Sequence, residues 1–249
     1  MTNTIYAVGL GPGDTMYLTP QAKAIIDNAE VVVGYTLYID LIRDLCHNKK
    51  TIDTGMMHEV ERSNLAVEEA QNGKSVAIVC SGDSSVYGMA SLLFEIIDKK
   101  AYNINVEVIP GITAALSVGA ELGSPLTNDF TVISLSNLLT PEQLIIKRLN
   151  AAANADMVTV LYNPRSKRRH KLIAQTKDIF LNKNPNKKIV AGYVKNAGRD
   201  NKTIWVGLLC NLNLEDIDML TTVIIGNSQT DIIKGKMITH RGYHTKYEL

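Results

Sequence analysis

The strongest constraint in this sequence is an alternation of short apolar runs of strand length with stretches of helical spacing. Residues 5–8 form the first run. Thr19-Pro20 then reads as an N-cap and first helical residue, with Ala22, Ile25, Ile26 and Ala29 on one face. Residues 31–33 predict a strand and 59–72 a helix stopped by Gly73. Residues 75–80 predict a strand, 86–98 a helix, 106–109 a strand ended by Pro110-Gly111, and 112–122 a helix stopped by Gly123. This repetition predicts an α/β fold, a largely parallel sheet covered by helices. Residues 124–129 interrupt the pattern, and the boundary is expected there: an N-terminal α/β domain over 1–124 and a C-terminal α/β domain over 125–249. The second half restarts with strands at 130–135 and 157–162 around a helix at 141–153. A helix at 166–181 and strands at 188–194, 203–206 and 221–225 follow, and the last fifteen residues read as a turn and tail.

Composition narrows the function classes. An apolar share of 45% supports a sizeable core and argues against long-range disorder. Lys and Arg number 26 against 25 Asp and Glu, a net charge of +1, so neither nucleic acid nor a membrane surface is expected as a partner. No apolar run approaches the roughly 18 residues of a membrane span. Met1-Thr2-Asn3-Thr4 lacks a basic leader region, so no secretory signal is expected. Three scattered cysteines, Cys46, Cys80 and Cys210, suit reduced thiols in a cytoplasmic protein. There is no CxxC or HExxH. Cys46-His47 lacks a second ligand pair, so no metal is expected.

Three glycine-bearing loops follow three strands of the first half, which is how a ligand cleft is assembled. Gly9-Leu10-Gly11-Pro12-Gly13-Asp14 has GxGxG spacing rather than a dinucleotide GxGxxG, its helix starts only near Thr19, and Asp14 repels a pyrophosphate. A plain tight turn and a ligand-facing loop that avoids phosphate both fit it. In Ser81-Gly82-Asp83-Ser84-Ser85-Val86-Tyr87-Gly88, Asp83 either caps the next helix or faces a polar or cationic ligand. Pro110-Gly111-Ile112-Thr113-Ala114-Ala115 leaves room for a flat ligand at a helix start, or is simply that start. In the second half, Arg165, Lys167, Arg168 and Arg169 lie at or near a predicted helix N-terminus, where the dipole disfavours cations by roughly 0.3 kcal/mol or more each. They form a solvated basic face or meet a polyanionic substrate. Lys195-Asn196-Ala197-Gly198-Arg199 and Gly226-Asn227-Ser228 repeat the theme of a strand followed by a small polar loop.

In this order, GLGPGD, SGDSSVYGMA, IPGITAA, YNPRSKRR and KNAGR resemble the tetrapyrrole (class III) S-adenosylmethionine-dependent methyltransferases over nearly the whole chain. VVVGYTLYIDL, TGMMHEVER, SPLTNDFTVISLSNLLTP, TTVIIGNSQT and RGY resemble the branch that methylates C17 of precorrin-3B or cobalt-factor III in cobalamin biosynthesis. The resemblance implies the tetrapyrrole methylase fold, with two α/β domains and a cofactor cleft between them, and a homodimer. It implies S-adenosyl-L-methionine as cofactor, with S-adenosyl-L-homocysteine as product. Carried over by motif, the cofactor contacts are Pro12, Ser81, Gly82, Asp83, Val86, Thr113, Ala114, Asn163, Ala197 and Thr221. Gly11, Gly13 and Asp14 are expected near the tetrapyrrole. Its acid side chains need cations, for which Arg165, Arg168, Arg169 and Arg199 are the candidates. Ser84-Ser85 stands where the family commonly has Pro-Gly after SGD, which predicts a more mobile or better hydrated loop. The chain stops soon after RGY, so no iron–sulfur centre is expected.

The implied reaction transfers an activated methyl in line to a macrocycle carbon, with ring contraction. Orientation alone supplies roughly 7–11 kcal/mol in favourable cases, so no nucleophilic triad is required, and none is found. No catalytic side chain is assigned, although Asp14 and Tyr87 could assist the proton transfers of ring contraction. The alternatives are a sister enzyme acting at C11 or C20, a diphthine synthase, a dinucleotide-binding oxidoreductase, and a non-catalytic tetrapyrrole or nucleotide carrier.

Overall fold

A computed structural model describes residues 3–183 and 188–248. Met1 and Thr2, at the head of the segment read as lacking a leader, lie outside the described residues. The chain forms two compact units, Met1–Thr113 and Ala114–Leu249.

The first unit runs β1 (Thr4–Gly9), α1 (Pro20–Asn28), β2 (Val31–Tyr35), α2 (Thr36–Leu41), β3 (Lys50–Thr54), α3 (Glu59–Gln71), β4 (Val76–Cys80), α4 (Ala90–Lys99) and β5 (Asn105–Ile109). Its five strands form a parallel sheet in the order β3-β2-β4-β1-β5, with Ile5 opposite both Val76 and Val106. Both faces of the central strands are buried. Ile5, Val33 and Ile78 pack with Val67 and Leu93, while Val8, Val32 and Val79 pack with Ile26 and Ile42. Two-sided burial explains why these strands read as continuous apolar runs. Thr19 caps α1 as its sequence predicts, its hydroxyl accepting from the Ala22 peptide at 3.1 Å. Helix α4 begins at Ala90 rather than 86, so 81–89 is a long connector at the end of β4. The sequence did not predict α2, which is six residues long, or β3, a polar edge strand.

The second unit contains α5 (Ala114–Leu122), β6 (Gly123–Ser124), β7 (Phe130–Ser134), α6 (Glu142–Asn154), β8 (Val158–Tyr162), α7 (Lys171–Lys183), β9 (Val190–Lys195), β10 (Thr203–Leu208), β11 (Thr221–Ile225), β12 (Thr230–Ile233) and β13 (Lys236–Thr239). The main sheet has the order β10-β9-β11-β8-β7, and only β7 and β8 pair parallel. The expectation of a largely parallel sheet is therefore corrected for this half. Helices α6 and α7 carry β7, β8 and β9 in one direction, as crossovers must. Strands β10 and β11 follow without such helices and run the other way, and β11 inserts between β8 and β9.

The contact division precedes α5, whereas the sequence expectation placed α5 in the first domain. The helix packs Ala115, Val118 and Leu122 against Val160, Val194 and Ile224 of the second sheet. The expected tail is also corrected. Strands β12 and β13 form a hairpin through Lys234 and Gly235, whose positive φ values (50° and 75°) match a two-residue turn. The predicted helix at 166–181 starts only at Lys171, because Ser166 and Arg169 exchange backbone hydrogen bonds in a separate turn.

Candidate functional site

In the first unit, the connectors after β1, β4 and β5 meet through their main chains, because these strands are neighbours in the sheet. Gly11 and Gly82 exchange backbone hydrogen bonds of 3.0 and 2.7 Å. A Cβ on Gly111 falls 2.1 Å from the Gly82 carbonyl oxygen and 2.7 Å from the Gly9 carbonyl carbon. One on Gly9 falls 2.7 Å from the Gly111 nitrogen. These glycines therefore admit backbone to backbone, one connector against the next.

Asp83 fastens two of these connectors, its own after β4 and the one after β5. Its Oδ2 accepts from the Gly111 peptide at 3.0 Å, and its Oδ1 accepts from the Ser85 peptide at 2.8 Å and the Ser85 hydroxyl at 2.5 Å. Burial pushes this carboxyl up. Hydrogen bonds from the Ser85 hydroxyl and the Gly111, Ser85 and Val86 peptides outweigh it and hold the group below the ordinary carboxylate value. Asp83 thus acts on its own loops rather than as a cap of α4. Ser84 is fully buried and donates to the Ala7 carbonyl at 2.8 Å. The expected hydration is corrected for Ser84, while Ser85 is exposed.

Pro12 and Gly13 are buried in the first connector, with Gly11 at φ 76°. The exposed Asp14 caps a short turn, its Oδ1 accepting from the Met16 peptide at 2.8 Å. Val86 and Thr113 are half-buried. Beneath the connectors, burial pushes the Cys80 thiol up to about 11, which suits an inert core thiol. None of these three connectors carries a Lys or Arg, while Asp14 and Asp83 lie within them.

The second unit brings its candidates together less uniformly. Tyr162 accepts from the Ala115 peptide at 2.7 Å, and Asn163, at φ 50°, donates to Ser134 Oγ at 3.0 Å. Arg165 is engaged internally. It donates to both carboxylate oxygens of Glu215 at 2.7 Å and to the Leu214 carbonyl at 2.7 Å. The cation expected for substrate acids therefore already faces a carboxylate of its own chain, one that is 77% exposed. Arg168 is exposed. Arg169 is half-buried, with Nη2 on Met219 Sδ at 3.5 Å and a buried Nη1 that has no hydrogen-bond partner among the described residues. Arg199 and Ala197 are half-buried in a tight turn after β9, with Asn196 and Gly198 at φ 56° and 65°. Thr221 is 2% exposed, and its hydroxyl donates to Asp218 Oδ1 at 2.9 Å. Asp218 also pairs with Lys195 at 2.6 Å. A cavity of about 440 Å³ elsewhere in this unit is lined by Asp156, Phe180, Asn227 and Ser228 among others, and holds none of the predicted site residues.

Sequence reasoning missed Arg62 of α3, a charged residue only 4% exposed. Its Nε donates to Thr54 Oγ1 and its Nη2 to the Gly55 carbonyl, both at 2.9 Å. Its Nη1 lies 3.7 Å from Met89 Sδ, and the guanidinium stands 5.8 Å from the Tyr35 ring centroid. The spacing Arg62, Ala66, Ala70 placed it on the buried stripe of a predicted helix, and that signal was available.

Among the described residues, no group of three or more His, Cys, Asp and Glu could hold a metal ion, and no helix is long and apolar enough to cross a membrane. Residues 4–213 match the family described as Tetrapyrrole (Corrin/Porphyrin) Methylases. The chain is similar to the "Probable cobalt-factor III C(17)-methyltransferase" of Methanocaldococcus jannaschii, at 44% identity over 251 residues, covering 98% of this chain and 100% of that protein. A protein of the same name from Salmonella typhimurium is 42% identical over 236 residues, covering 95% of this chain and 98% of its own. The crystal structure titled "the methyltransferase CobJ" is 32% identical with a TM-score of 0.88, covering 95% of this chain and 99% of that one.

Proposed function

The chain belongs to the tetrapyrrole (corrin/porphyrin) methylase family and has its fold, and on that premise we propose that it is an S-adenosylmethionine-dependent methyltransferase acting at C17 of cobalt-factor III or precorrin-3B. The reading rests on the 44% identity that runs through 98% of this chain and the whole of the Methanocaldococcus jannaschii relative. Its further parts are corrin ring contraction, a homodimer and a cytoplasmic location.

The donor set of the first unit fits the cofactor. The three connectors present peptides and carboxylates without a cation, a poor setting for phosphate and a good one for a sulfonium with an amino-acid tail. When bound, S-adenosylmethionine supplies a methyl whose bond to sulfur breaks as its bond to C17 forms. Pro12, Ser81, Gly82, Asp83, Val86 and Thr113 hold it from the first unit in this proposal, and Ala114, Asn163, Ala197 and Thr221 belong to the same assignment. Asp83 ties the connector after β4 to the one after β5, so the contribution of this chain is orientation and exclusion of water. Gly11, Gly13 and Asp14 lie nearest the tetrapyrrole in this proposal. Arg168, Arg169 and Arg199 meet its acid side chains.

The test is transfer of label from S-adenosylmethionine to cobalt-factor III or precorrin-3B. Label at C17 is the expected result. Label at C11 or C20 reassigns the chain to a sister reaction, and failure to bind S-adenosylmethionine by calorimetry removes the methyltransferase reading.

A further inference from the structure

The connector between β3 and α3 combines features that cofactor binding does not explain. Met56 and Met57 stand 62% and 74% exposed. Met57 holds φ at 68°, a left-handed conformation that costs a side chain about 1–2 kcal/mol. Directly below, the buried Arg62 guanidinium grips the first residue of this connector through the Gly55 carbonyl. Among the described residues, no carboxylate forms an ion pair with it. A buried cation served only by neutral acceptors is an expensive way to hold a turn. Strain, apolar exposure and a buried charge therefore converge on four residues at the carboxyl edge of a parallel sheet, where α/β proteins place their ligands.

The same edge carries other exposed apolar side chains. Met16 follows β1, Leu37 follows β2 and Tyr87 follows β4, at 78%, 48% and 57% exposure. In the order β3-β2-β4-β1-β5, β3 stands two strands from β4 and three from β1. At about 4.8 Å per strand, the connector lies roughly 10 Å along the sheet from the loop after β4 and roughly 14 Å from the loop after β1. A ligand that begins at the glycine connectors meets residues 55–58 only if it reaches that far across the sheet edge, and a macrocycle of four pyrrole-derived rings is broad enough to do so. Thioethers are polarisable and pack well on conjugated faces.

We propose that residues 55–58 are a substrate-contact element, with Met56 and Met57 as specificity-determining side chains against the face of the tetrapyrrole and Arg62 as the positioning residue beneath them. This rests on the methyltransferase reading above.

The test measures methyl transfer with cobalt-factor III as the varied substrate, beside calorimetry with S-adenosylhomocysteine. The exposed pair Met56→Ser, Met57→Ser raises KM for the tetrapyrrole at least tenfold and leaves S-adenosylhomocysteine affinity within twofold. Arg62→Lys, which keeps the charge and loses the fork, raises the tetrapyrrole KM while kcat is retained. A serine pair with wild-type KM, or one that weakens both ligands equally, overturns the contact element. An unchanged KM in Arg62→Lys overturns the positioning role. Absence of transfer by the wild-type protein sinks the methyltransferase reading and this inference with it, whereas wild-type transfer with an indifferent serine pair sinks this inference alone.

Discussion

Replacing Gly111 by alanine tests whether the three connectors of the first unit act as one rigid body. The new Cβ would sit 2.1 Å from the Gly82 carbonyl oxygen, against ordinary contact that begins near 3.4 Å. Both obstacles, Gly82 and Gly9, are backbone, so no side chain can rotate away. Relief requires the connectors after β4 and β5 to separate by roughly 1 Å, and overpacking of this kind costs about 1–3 kcal/mol. The shift also strains the 3.0 Å bond from the Gly111 peptide to Asp83, and a peptide donor left unpaired there adds about 1–3 kcal/mol. Urea unfolding should therefore show a loss of about 2–6 kcal/mol for Gly111→Ala. Calorimetry with S-adenosylhomocysteine should show at least a tenfold weaker Kd, which is about 1.4 kcal/mol. Gly73→Ala is the control. Gly73 has φ 80° and open space around its Cβ position, so it should lose about 1 kcal/mol of stability with no change in affinity. A Gly111→Ala protein with wild-type stability and affinity would refute the interlocked arrangement.

Asp83 makes stability depend on pH in a defined direction. Its folded pKa lies below the ordinary value of 3.8, so its contribution is present above that pH and is lost as pH falls through the folded value. Asp218 adds to the same trend, since Lys195, the Leu220 peptide and the Thr221 hydroxyl together outweigh its burial. Between pH 5 and pH 3, wild type should lose more stability in urea than Asp83→Asn, and parallel profiles would contradict this. The Arg165–Glu215 pair is partly solvated, with side chains 20% and 77% exposed, so a double-mutant cycle should give a coupling of only about 0.5–1 kcal/mol. A coupling near zero would mean that Arg165 is free to meet substrate acids after all. Native protein should react with one equivalent of a thiol reagent near pH 8, at the exposed Cys210, because Cys46 and Cys80 are buried with raised pKa values. Three equivalents without denaturant would count against the packing around β4.

What could be read from the sequence was set by local rules. The Thr19 cap and the central strands depend on neighbours in the chain and on two-sided burial, and both leave marks within a few residues. Edge strand β3 has little apolar surface to bury, and α2 is too short to show a period. The insertion of β11 between β8 and β9 depends on pairing across sixty residues, from Thr159 to Ile225 at its widest, and no local pattern announces it. The glycine loops were legible as an assembly, but not the fact that their missing side chains make room for one another. Arg165 looked available because its partner, Glu215, lies 50 positions away. Arg62 is legible from its place on the helical stripe, although a charge there runs against the usual apolar pattern.

The place of β11 has a consequence for how the chain is made. Before residues 221–225 are in place, β8 and β9 each lack the strand that pairs with both, and each leaves a hydrogen-bonding edge open. The five residues Thr221–Ile225 close both edges at once. Until they arrive, the second sheet is in two pieces, β10-β9 and β8-β7, each with an edge open to mispairing.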